Sequence, residues 1–207
     1  MILESKSPQQ SKMMPSDEEL MLSYLNGENE AFEILYRRYE RPIFSFVYRI
    51  VMNAAEAEDL CQETFFRIVR GKKKYQASGK FKIWLFRIAH NLCRDRIRRM
   101  KFRTHLSLDV HMSSQECDKI AIKNSISDPL PDQVKSVEGD EMKKLVQQAF
   151  ATLPEEQRTV VILKEYHTLK FSEIAEIMDC PIGTVKSHNH RAHEKLKKIL
   201  APYIEKI

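Results

Sequence analysis

Apolar residues recur at three- and four-residue spacing along most of the chain, which is the period of one buried face of an α-helix. In the first half of the chain this pattern predicts four helices, over about residues 16–26, 29–52, 53–71 and 80–101. Ser16 and Glu19 form a capping box at the start of the first helix, and Pro42 is expected to bend the second. Asn53 is expected to cap the third. Together these helices predict a compact helical domain over residues 15–103, preceded by a disordered segment, residues 1–14.

Residues 104–137 lose that periodicity. They contain Pro129 and Pro131 among scattered serines and acids, and their apolar stretches are short. Prolines interrupt helices, and a polar, charged composition offers too little apolar surface to form a core. We therefore predict a flexible acidic linker between the two halves of the chain.

Helical spacing resumes after the linker. The next apolar positions predict a helix, and Pro154 suits the first turn of another. Two more helices are expected, over about residues 173–178 with Ser172 as the cap, and over residues 183–200. The predicted fold is therefore all-α, with two small helical domains, the second over residues 138–207.

The composition excludes several classes of protein. Of the 207 residues, 43% are hydrophobic and 30% are charged, which is typical of a folded globular chain. The longest aliphatic run is Val160–Leu163, far short of the roughly 20 residues of a membrane-spanning helix. The N-terminal residues lack an apolar core and a cleavage pattern, so no secretory signal and no membrane insertion are expected. There are five glycines and no Gly-rich phosphate-binding motif, and we expect a cytoplasmic, mostly helical protein.

The formal net charge of +5 conceals a strong asymmetry along the chain. Residues 70–103 carry 13 Lys and Arg against the single Asp95, a net charge of +12, whereas residues 1–30 carry −4 and residues 104–157 carry −5. A cationic block of this size predicts a polyanionic partner, either nucleic acid or an anionic membrane surface. A merely solvated basic face is the alternative.

Residues 171–198 have the pattern of a helix-turn-helix. Small Ala175 in the first helix would let the second approach closely, and Val185 and Ala192 would lie on the inner side of the second helix. Such a motif places its second helix in the major groove of DNA. The residues expected on the outer side of that helix are Thr184, Lys186, Ser187, His190 and Arg191. An ordinary helical hairpin, or the DNA-binding unit of an unrelated regulator, would share this pattern.

Aromatic residues are interleaved with the cations of the +12 block. Single-stranded nucleic acid binds where cationic side chains meet ring faces on which unpaired bases stack. Tyr75, Phe81 and Trp84 could supply such rings, although the helical spacing of Trp84 with Leu85 and Ile88 favours a core position for it. Cations that a core cannot absorb unpaired are better candidates for nucleic-acid contacts. They are Lys72, Lys73, Lys74, Arg94, Arg96, Arg98 and Arg99.

The third predicted helix has an acidic face opposite its apolar stripe. Helical spacing puts Asp59, Gln62, Glu63 and Phe66 on one arc. This arc is either an electrostatic counterweight near a helix N-terminus or a surface that docks a basic partner protein. The residues alone leave these two interpretations equally open.

A metal-dependent enzyme or metal sensor is a third hypothesis, because the chain has four cysteines and seven histidines. It has no Cys-x-x-Cys pair, and His188, His190 and His193 are not at the i, i+4 spacing that puts two metal ligands on one helix face in known zinc motifs. We expect free, mostly buried thiols, no metal site and no cofactor.

Two segments resemble conserved regions of the bacterial sigma-70 family of RNA polymerase initiation factors. AEDLCQETFFRIVR and FKIWLFRIAHNLCRDRIRR, residues 57–70 and 81–99, resemble region 2. Residues 153–196, LPEEQRTVVILKEYHTLKFSEIAEIMDCPIGTVKSHNHRAHEKL, resemble region 4. Only these two regions are present, joined by a short linker, an arrangement similar to the extracytoplasmic-function (ECF) group. The resemblance implies a promoter-specificity subunit without catalysis of its own, and a non-sigma helix-turn-helix regulator is the alternative.

The resemblance also implies a role for each candidate surface. Asp59, Gln62, Glu63 and Phe66 would dock the clamp helices of the polymerase β′ subunit, while region 4 would contact the β flap and the −35 element through Thr184, Lys186, Ser187, His190 and Arg191. The melted −10 element would be bound by Lys73, Lys74, Tyr75, Lys80, Phe81, Trp84, Asn91, Arg94, Arg98 and Arg99. An anti-sigma factor is a further implied partner, beside core RNA polymerase and promoter DNA.

The chain departs from the family pattern at one place in the second helix of the helix-turn-helix. Family members usually carry Arg-Leu-His-Arg-Ala-Arg after the Lys-Ser pair, whereas this chain carries residues 188–193, HNHRAH. Asn189 stands where an apolar inner residue is expected, four residues after Val185 and three before Ala192. Local packing and the −35 preference are therefore expected to differ from the family pattern.

Overall fold

The protein is described by a computed structural model that covers residues 14–72, 75, 79–107 and 145–204. All regular secondary structure within those ranges is helical. The all-α prediction is therefore confirmed for the described part of the chain. The predicted linker lies outside it, apart from residues 104–107, and so does the predicted disordered N-terminus, apart from Met14.

The first domain contains four helices, as predicted. They are α1 (Asp17–Leu25), α2 (Asn29–Val51), α3 (Ala54–Gly71) and α4 (Phe81–Ser107). The capping box of α1 is formed, with the Ser16 N–H and hydroxyl donating to the Glu19 carboxylate at 2.7 and 2.8 Å. The Asn53 side chain caps α3 by accepting the Glu56 N–H at 3.0 Å. Both caps were predicted from local sequence patterns.

α2 has the predicted extent, and α4 is longer than predicted. α2 is a single helix that includes Pro42, and it ends where Met52 adopts a left-handed conformation with φ 56°. α4 continues to Ser107, so its last four residues lie in the segment predicted as linker. Residues 104–107 contain no helix-breaking Pro or Gly, so the helix can continue although the apolar periodicity has ended.

The second domain begins with helical residues 145–151 and continues through α5 (Glu155–Val161), a π-helical turn (Ile162–Tyr166), α6 (Phe171–Met178) and α7 (Ile182–Ile204). The prediction of Ser172 as the cap of α6 is wrong. That helix starts at Phe171, two residues earlier than predicted, and its N-cap is Lys170, whose N–H donates to the Glu173 carboxylate at 2.7 Å. The π-helical turn was not predicted, because one extra residue in a turn barely alters an apolar period.

One apolar core runs through both domains. It contains buried residues of α2 and α4, such as Phe46 and Phe86, and continues into the second domain through Leu163 and Ile174. A smaller cluster lies within the second domain and includes Ala149, Val161 and Ala192. The two domains that we predicted as separate bundles on a linker are therefore packed against each other.

Candidate polymerase and nucleic-acid interfaces

The basic loop, residues 72–80, leads from α3 into α4. Lys73 and Lys74, both predicted to bind the −10 strand, lie outside the described residues, whereas Tyr75 and Lys80 are described. The Tyr75 ring lies 4.9 Å from the Trp84 ring and 6.2 Å from the Phe81 ring, measured between centroids. An aromatic cluster therefore supports the described part of the loop from beneath.

The aromatic residues of this cluster differ in their exposure. Phe81 is 1% exposed and packs edge-on against Tyr39, so its ring belongs to the core in this conformation, and its contact with the −10 strand stays a prediction. Trp84 is half-buried, contacts the core and lies beside Gly71, which agrees with the core position that its helical spacing favoured. Tyr75 is also half-buried.

α4 presents three of the predicted −10 cations to solvent. Arg94, Arg98 and Arg99 are exposed, and Asn91 is half-buried one turn before Arg94. Arg98 lies 3.3 Å from the Asp95 carboxylate, an exposed pair one helical turn apart that is worth little in water. Arg96 instead pairs with Glu56 of α3, which ties the two helices together. The charge of α4 is thus divided between a structural pair and a solvent-facing basic surface.

The acidic arc on α3 is exposed as the helical spacing predicted. Asp59 and Gln62 face solvent, Glu63 pairs with Arg67 at 2.9 Å, and Phe66 is 46% exposed. The Arg70 guanidinium lies 4.0 Å from the centre of the Phe66 ring. An exposed aromatic ring bordered by carboxylates is suited to a basic protein partner that also offers apolar surface.

The outer side of α7 is exposed throughout the predicted −35 set. These five residues are Thr184, Lys186, Ser187, His190 and Arg191. Val185 and Ala192 are fully buried on the inner side, as predicted. Asn189 lies half-buried between them, and its Oδ1 has no hydrogen-bond partner among the described residues. The departure from the family pattern therefore produces an unsatisfied amide in the helix-turn-helix.

Three cations of the +12 block bond to the second domain across the interdomain interface. Lys80 Nζ pairs with the Glu176 carboxylate at 2.8 Å, and Arg87 donates two hydrogen bonds, at 2.9 and 2.6 Å, to the main-chain carbonyl of the same residue. Lys82 Nζ donates to the His167 carbonyl at 3.1 Å. In this conformation, all three cations are bonded to oxygens of the second domain. Sequence patterns gave no signal for these pairs, because their partners are 85 to 96 residues apart.

His167 lies at the centre of the same interface. Its ring centroid is 4.8 Å from that of Phe86 and 5.9 Å from that of Phe46, and the residue is 9% exposed. Burial lowers the pKa of His167 from its ordinary value to about 4, with Lys82 and Arg49 acting in the same direction. Arg49 in turn stacks over Tyr166, 3.9 Å from the ring centre. The neutral imidazole is therefore part of the apolar contact between the domains.

Sequence reasoning missed Glu18 of α1. Its carboxylate accepts hydrogen bonds from the Tyr75 hydroxyl at 2.7 Å and from the Phe81 N–H at 2.6 Å. Both partners are far away in the sequence, and an acid in the first turn of a helix is already explained by the helix dipole. Nothing in the local pattern distinguishes it from Asp17 or Glu19.

The described part of the chain holds no group of three or more His, Cys, Asp or Glu side chains arranged for a metal ion. Cys61 and Cys93 are buried free thiols, and burial raises the pKa of both. None of the helices within the described ranges is long and apolar enough to cross a membrane.

Two family descriptions match the chain. Residues 35–103 match Sigma-70 region 2, and residues 143–196 match Sigma-70, region 4. The curated relatives include the ECF RNA polymerase sigma factor SigW of Bacillus subtilis (strain 168), 36% identical over 84% of this chain and 91% of the relative. They also include the RNA polymerase sigma-H factor of Pseudomonas aeruginosa, 29% identical over 91% of this chain and 95% of the relative.

Solved structures with a similar fold include two complexes of helical proteins with other proteins. One is the sigma factor RpoE of Bartonella quintana, crystallised with the anti-sigma factor NepR; it has a TM-score of 0.66 and 23% identity and covers 82% of this chain and 96% of that one. The other is CnrH in complex with the cytosolic domain of CnrY, with a TM-score of 0.65 and 19% identity, covering 90% of this chain and 97% of that one. These likenesses agree with the helical architecture described above.

Proposed function

This chain belongs to the ECF group of the sigma-70 family of RNA polymerase initiation factors, and we propose that it directs promoter-specific initiation in an opened form of the molecule. In that form region 2 binds the melted −10 strand while region 4 binds the −35 duplex. The observation that carries the proposal is the presence of both matched regions in one chain, each with a separate solvent-exposed set of candidate contact residues.

Region 2 offers two different surfaces to two partners. The α3 arc, with Asp59, Gln62, Glu63 and exposed Phe66, docks the β′ clamp helices of core RNA polymerase. Tyr75 and Lys80 of the basic loop, with Arg94, Arg98 and Arg99 of α4, bind the −10 strand. Opposite charge on the two surfaces supports this division, because a carboxylate arc repels phosphates and a basic surface attracts them.

Region 4 binds the −35 element through the N-terminal half of α7. Lys186, Ser187 and the helix N-terminus suit phosphates, whereas Arg191 suits a guanine edge or a phosphate. The exposure of these side chains and the burial of Val185 and Ala192 behind them support docking of this side of α7 in the major groove.

Promoter binding by both regions requires the interdomain interface to separate. The −10 and −35 elements are about 25 base pairs apart by their names, roughly 85 Å of duplex at 3.4 Å per base pair. Two domains that share a core cannot contact both. The 37 residues from 108 to 144 are long enough for that span, since an extended chain covers about 3.3–3.6 Å per residue.

An anti-sigma factor is the expected inhibitory partner of this chain. The chain and its inhibitor would both act in the cytoplasm, where the polymerase is. RpoE of Bartonella quintana and CnrH were each solved as complexes, the former with a named anti-sigma factor. A partner that binds the two domains in their packed arrangement would keep Lys80, Lys82 and Arg87 paired within the protein. It would thereby withhold these cations from promoter DNA.

Reconstitution with core RNA polymerase tests the proposed function. The full chain is mixed with core enzyme and fragmented genomic DNA, the bound fragments are sequenced, and the recovered promoters are used for transcription in vitro. We expect initiation at fragments that share a −35 and a −10 element. Duplex binding that needs no polymerase, with no initiation, would instead identify a helix-turn-helix regulator.

Replacement of Arg191 tests the assignment of α7. Arg191→Ala removes one candidate contact to base or phosphate, worth about 1–3 kcal/mol, so initiation from the recovered promoters should fall roughly 5- to 150-fold. Lys197→Ala is the matched control, because it removes an exposed cation six residues further along the same helix. If both variants lost initiation equally, the effect of Arg191→Ala would come from the lost positive charge in general and not from a specific contact of Arg191.

A further inference from the structure

The carboxylate of Glu18 joins three parts of the first domain that are far apart in sequence. The Tyr75 hydroxyl lies 2.7 Å from both Glu18 oxygens, and the Phe81 N–H donates to Oε1 at 2.6 Å. Tyr75 is in the middle of the basic loop, and Phe81 is the first residue of α4. One side chain of α1 thus bonds both to the loop and to the helix that the loop enters.

A second contact connects α1 to the beginning of the same loop. Lys72 Nζ lies 4.6 Å from the centre of the Tyr24 ring. Tyr24 belongs to α1, six residues after Glu18. Lys72 also accepts, through its carbonyl, the Tyr75 N–H at 3.2 Å. α1 therefore contacts Lys72 and Tyr75 of the basic loop and Phe81, the first residue of the helix that follows it.

α1 is itself held firmly on the domain, so it can serve as a fixed support. Leu20 and Met21 are buried in the core, and Asp17 bonds to the Arg38 guanidinium and to the Tyr39 hydroxyl on α2. The Tyr39 ring packs edge-on against Phe81, with centroids 5.7 Å apart. The position of Glu18 is thus determined by α2 and the core rather than by the loop.

The chemistry of the contact favours a permanent hydrogen bond. Burial raises the pKa of Tyr75 well above its ordinary value, and the hydrogen bond to Glu18 acts in the same direction, so the hydroxyl remains a donor at physiological pH. The second partner is the first N–H of α4, one of the donors that a helix leaves without an internal acceptor, at the end where the dipole favours negative charge. A hydrogen bond to a charged acceptor is stronger than one between neutral groups.

We propose that Glu18 is a positioning residue for promoter opening: by bonding Tyr75 and the N-terminus of α4, it fixes the Tyr75 ring and the start of α4 in the geometry that binds the melted −10 strand. This inference rests on the proposed function. It assigns a role to α1, which precedes the part of the chain matched to region 2. Loss of these bonds would leave the Tyr75 and Trp84 rings misaligned with the bases, although neither ring is removed.

Four full-length variants in reconstituted holoenzyme test this role: Glu18→Gln, Tyr75→Phe, the double variant, and Glu19→Gln. Two quantities are measured on a promoter recovered as above, the affinity for a fluorescent single strand carrying the −10 sequence and the rate of strand opening reported by 2-aminopurine. Affinity for core polymerase and for a −35 duplex, and the melting temperature, are measured in parallel.

We expect Glu18→Gln and Tyr75→Phe each to lower −10 strand affinity and opening rate by about 3- to 10-fold, with core and −35 affinity unchanged. The double variant should be no weaker than the weaker single variant, because both changes remove the same contact. Glu18→Gln is the decisive variant. A carboxylate repels DNA phosphates, so removal of its negative charge would not by itself weaken DNA binding, and a loss of affinity must come from the lost hydrogen bonds. Glu19→Gln removes the same charge from a carboxylate that bonds only to Ser16 in the described contacts, and it should retain wild-type affinity.

Wild-type −10 affinity in Glu18→Gln or in Tyr75→Phe would overturn the proposal. So would a loss shared equally by the −10 strand, core polymerase and the −35 duplex together with a lowered melting temperature, which is the result expected of a purely stabilising contact. Failure of the proposed function itself gives a different result. Wild-type holoenzyme would then bind the −10 strand no better than a strand of scrambled sequence.

Discussion

His167 and Asn189 each bury a polar atom, Nε2 and Oδ1 respectively, that has no hydrogen-bond partner in the described ranges. Such an atom costs about 1–3 kcal/mol, because its hydrogen bond to water is lost on folding and is not replaced. The two residues differ in their surroundings. His167 lies between aromatic rings at the interdomain interface, whereas Asn189 lies on the inner side of α7 next to Val185 and Ala192.

The burial of His167 predicts a loss of stability in mild acid. Its pKa is about 4 in the folded protein and about 6.5 in an unfolded chain, so the unfolded state takes up the proton first as pH falls. Its contribution to the free energy of unfolding is therefore full above pH 6.5, decreases between pH 6.5 and 4, and decreases no further below. Between pH 7.5 and 5 the loss should be about 1–2 kcal/mol, measurable by urea unfolding.

His167→Phe isolates this contribution from that of His90, which is also buried and whose pKa is also lowered to about 4. A phenyl ring can keep the contacts with Phe46 and Phe86 but cannot take up a proton. The variant should show a correspondingly weaker pH dependence and similar stability at pH 7.5. An unchanged pH dependence would assign the effect to His90 or to other groups.

Asn189→Leu should stabilise the helix-turn-helix. The substitution removes an unsatisfied amide oxygen and adds apolar contact next to Val185 and Ala192, and we expect a gain of about 1 kcal/mol in the free energy of unfolding. Asn189→Ser, which keeps a polar group there, is the control and should bring no gain. A destabilised leucine variant would mean that the amide has a partner in solution.

At the scale of elements, α3 has one side packed in the core and the other exposed to solvent. Cys61, Thr64 and Ile68 are buried on its inner side, while Asp59, Gln62 and Phe66 are exposed on the other. Since the inner side supplies the packing, the outer residues are free to be selected for a partner. Substitutions on the outer arc are therefore expected to alter binding without altering the fold.

Asp59→Lys should weaken binding of core polymerase by about 10-fold, because it places a cation where the docking arc offers a carboxylate. The melting temperature should remain close to that of the wild type. Glu58→Lys makes the same change of charge at the neighbouring exposed residue, about 100° around the helix and off the arc, and should have a smaller effect. Fluorescence titration of labelled protein with core enzyme would compare them, and equal losses would argue against a docking arc.

The sequence predicted elements whose determinants are local. The Ser16 and Asn53 caps, the end of α3 at Gly71 and the inner side of α7 were all found as expected, because each depends on residues within one or two turns. Features that depend on distant partners were missed. The ring of Phe81 lies in the core because α2 packs against it, and Glu18 bonds to Tyr75 because the chain brings Tyr75 back to α1.

At the scale of the whole molecule, the closed arrangement couples the two domains through both apolar and polar contacts. The core is continuous across the interdomain interface, and Lys80, Lys82 and Arg87 are bonded to oxygens of the second domain. The same three cations belong to the +12 block. Closure therefore pairs, within the protein, cations that separation of the domains would expose to solvent.

Glu176→Lys should shift the molecule towards the open form, since it replaces the ion pair with Lys80 by a repulsion. Both side chains are partly exposed, so the change is worth at most about 1 kcal/mol, which corresponds to a roughly 2- to 5-fold change in the opening equilibrium. Small-angle scattering should show a larger radius of gyration. Glu194→Lys makes the same change of charge at an exposed residue of α7 and should leave the radius of gyration unchanged. Equal expansion of the two variants would indicate an effect of net charge alone.

The aromatic and aliphatic contacts around His167 have a thermodynamic consequence for assembly with polymerase. Separation of the domains transfers Phe86, Leu163 and their neighbours from a dry interface to water, and hydration of apolar surface increases the heat capacity. The enthalpy of opening must then rise with temperature, and so must the enthalpy of any binding reaction that includes opening. Plotted against inverse temperature, the logarithm of the polymerase association constant should follow a curve rather than a straight line.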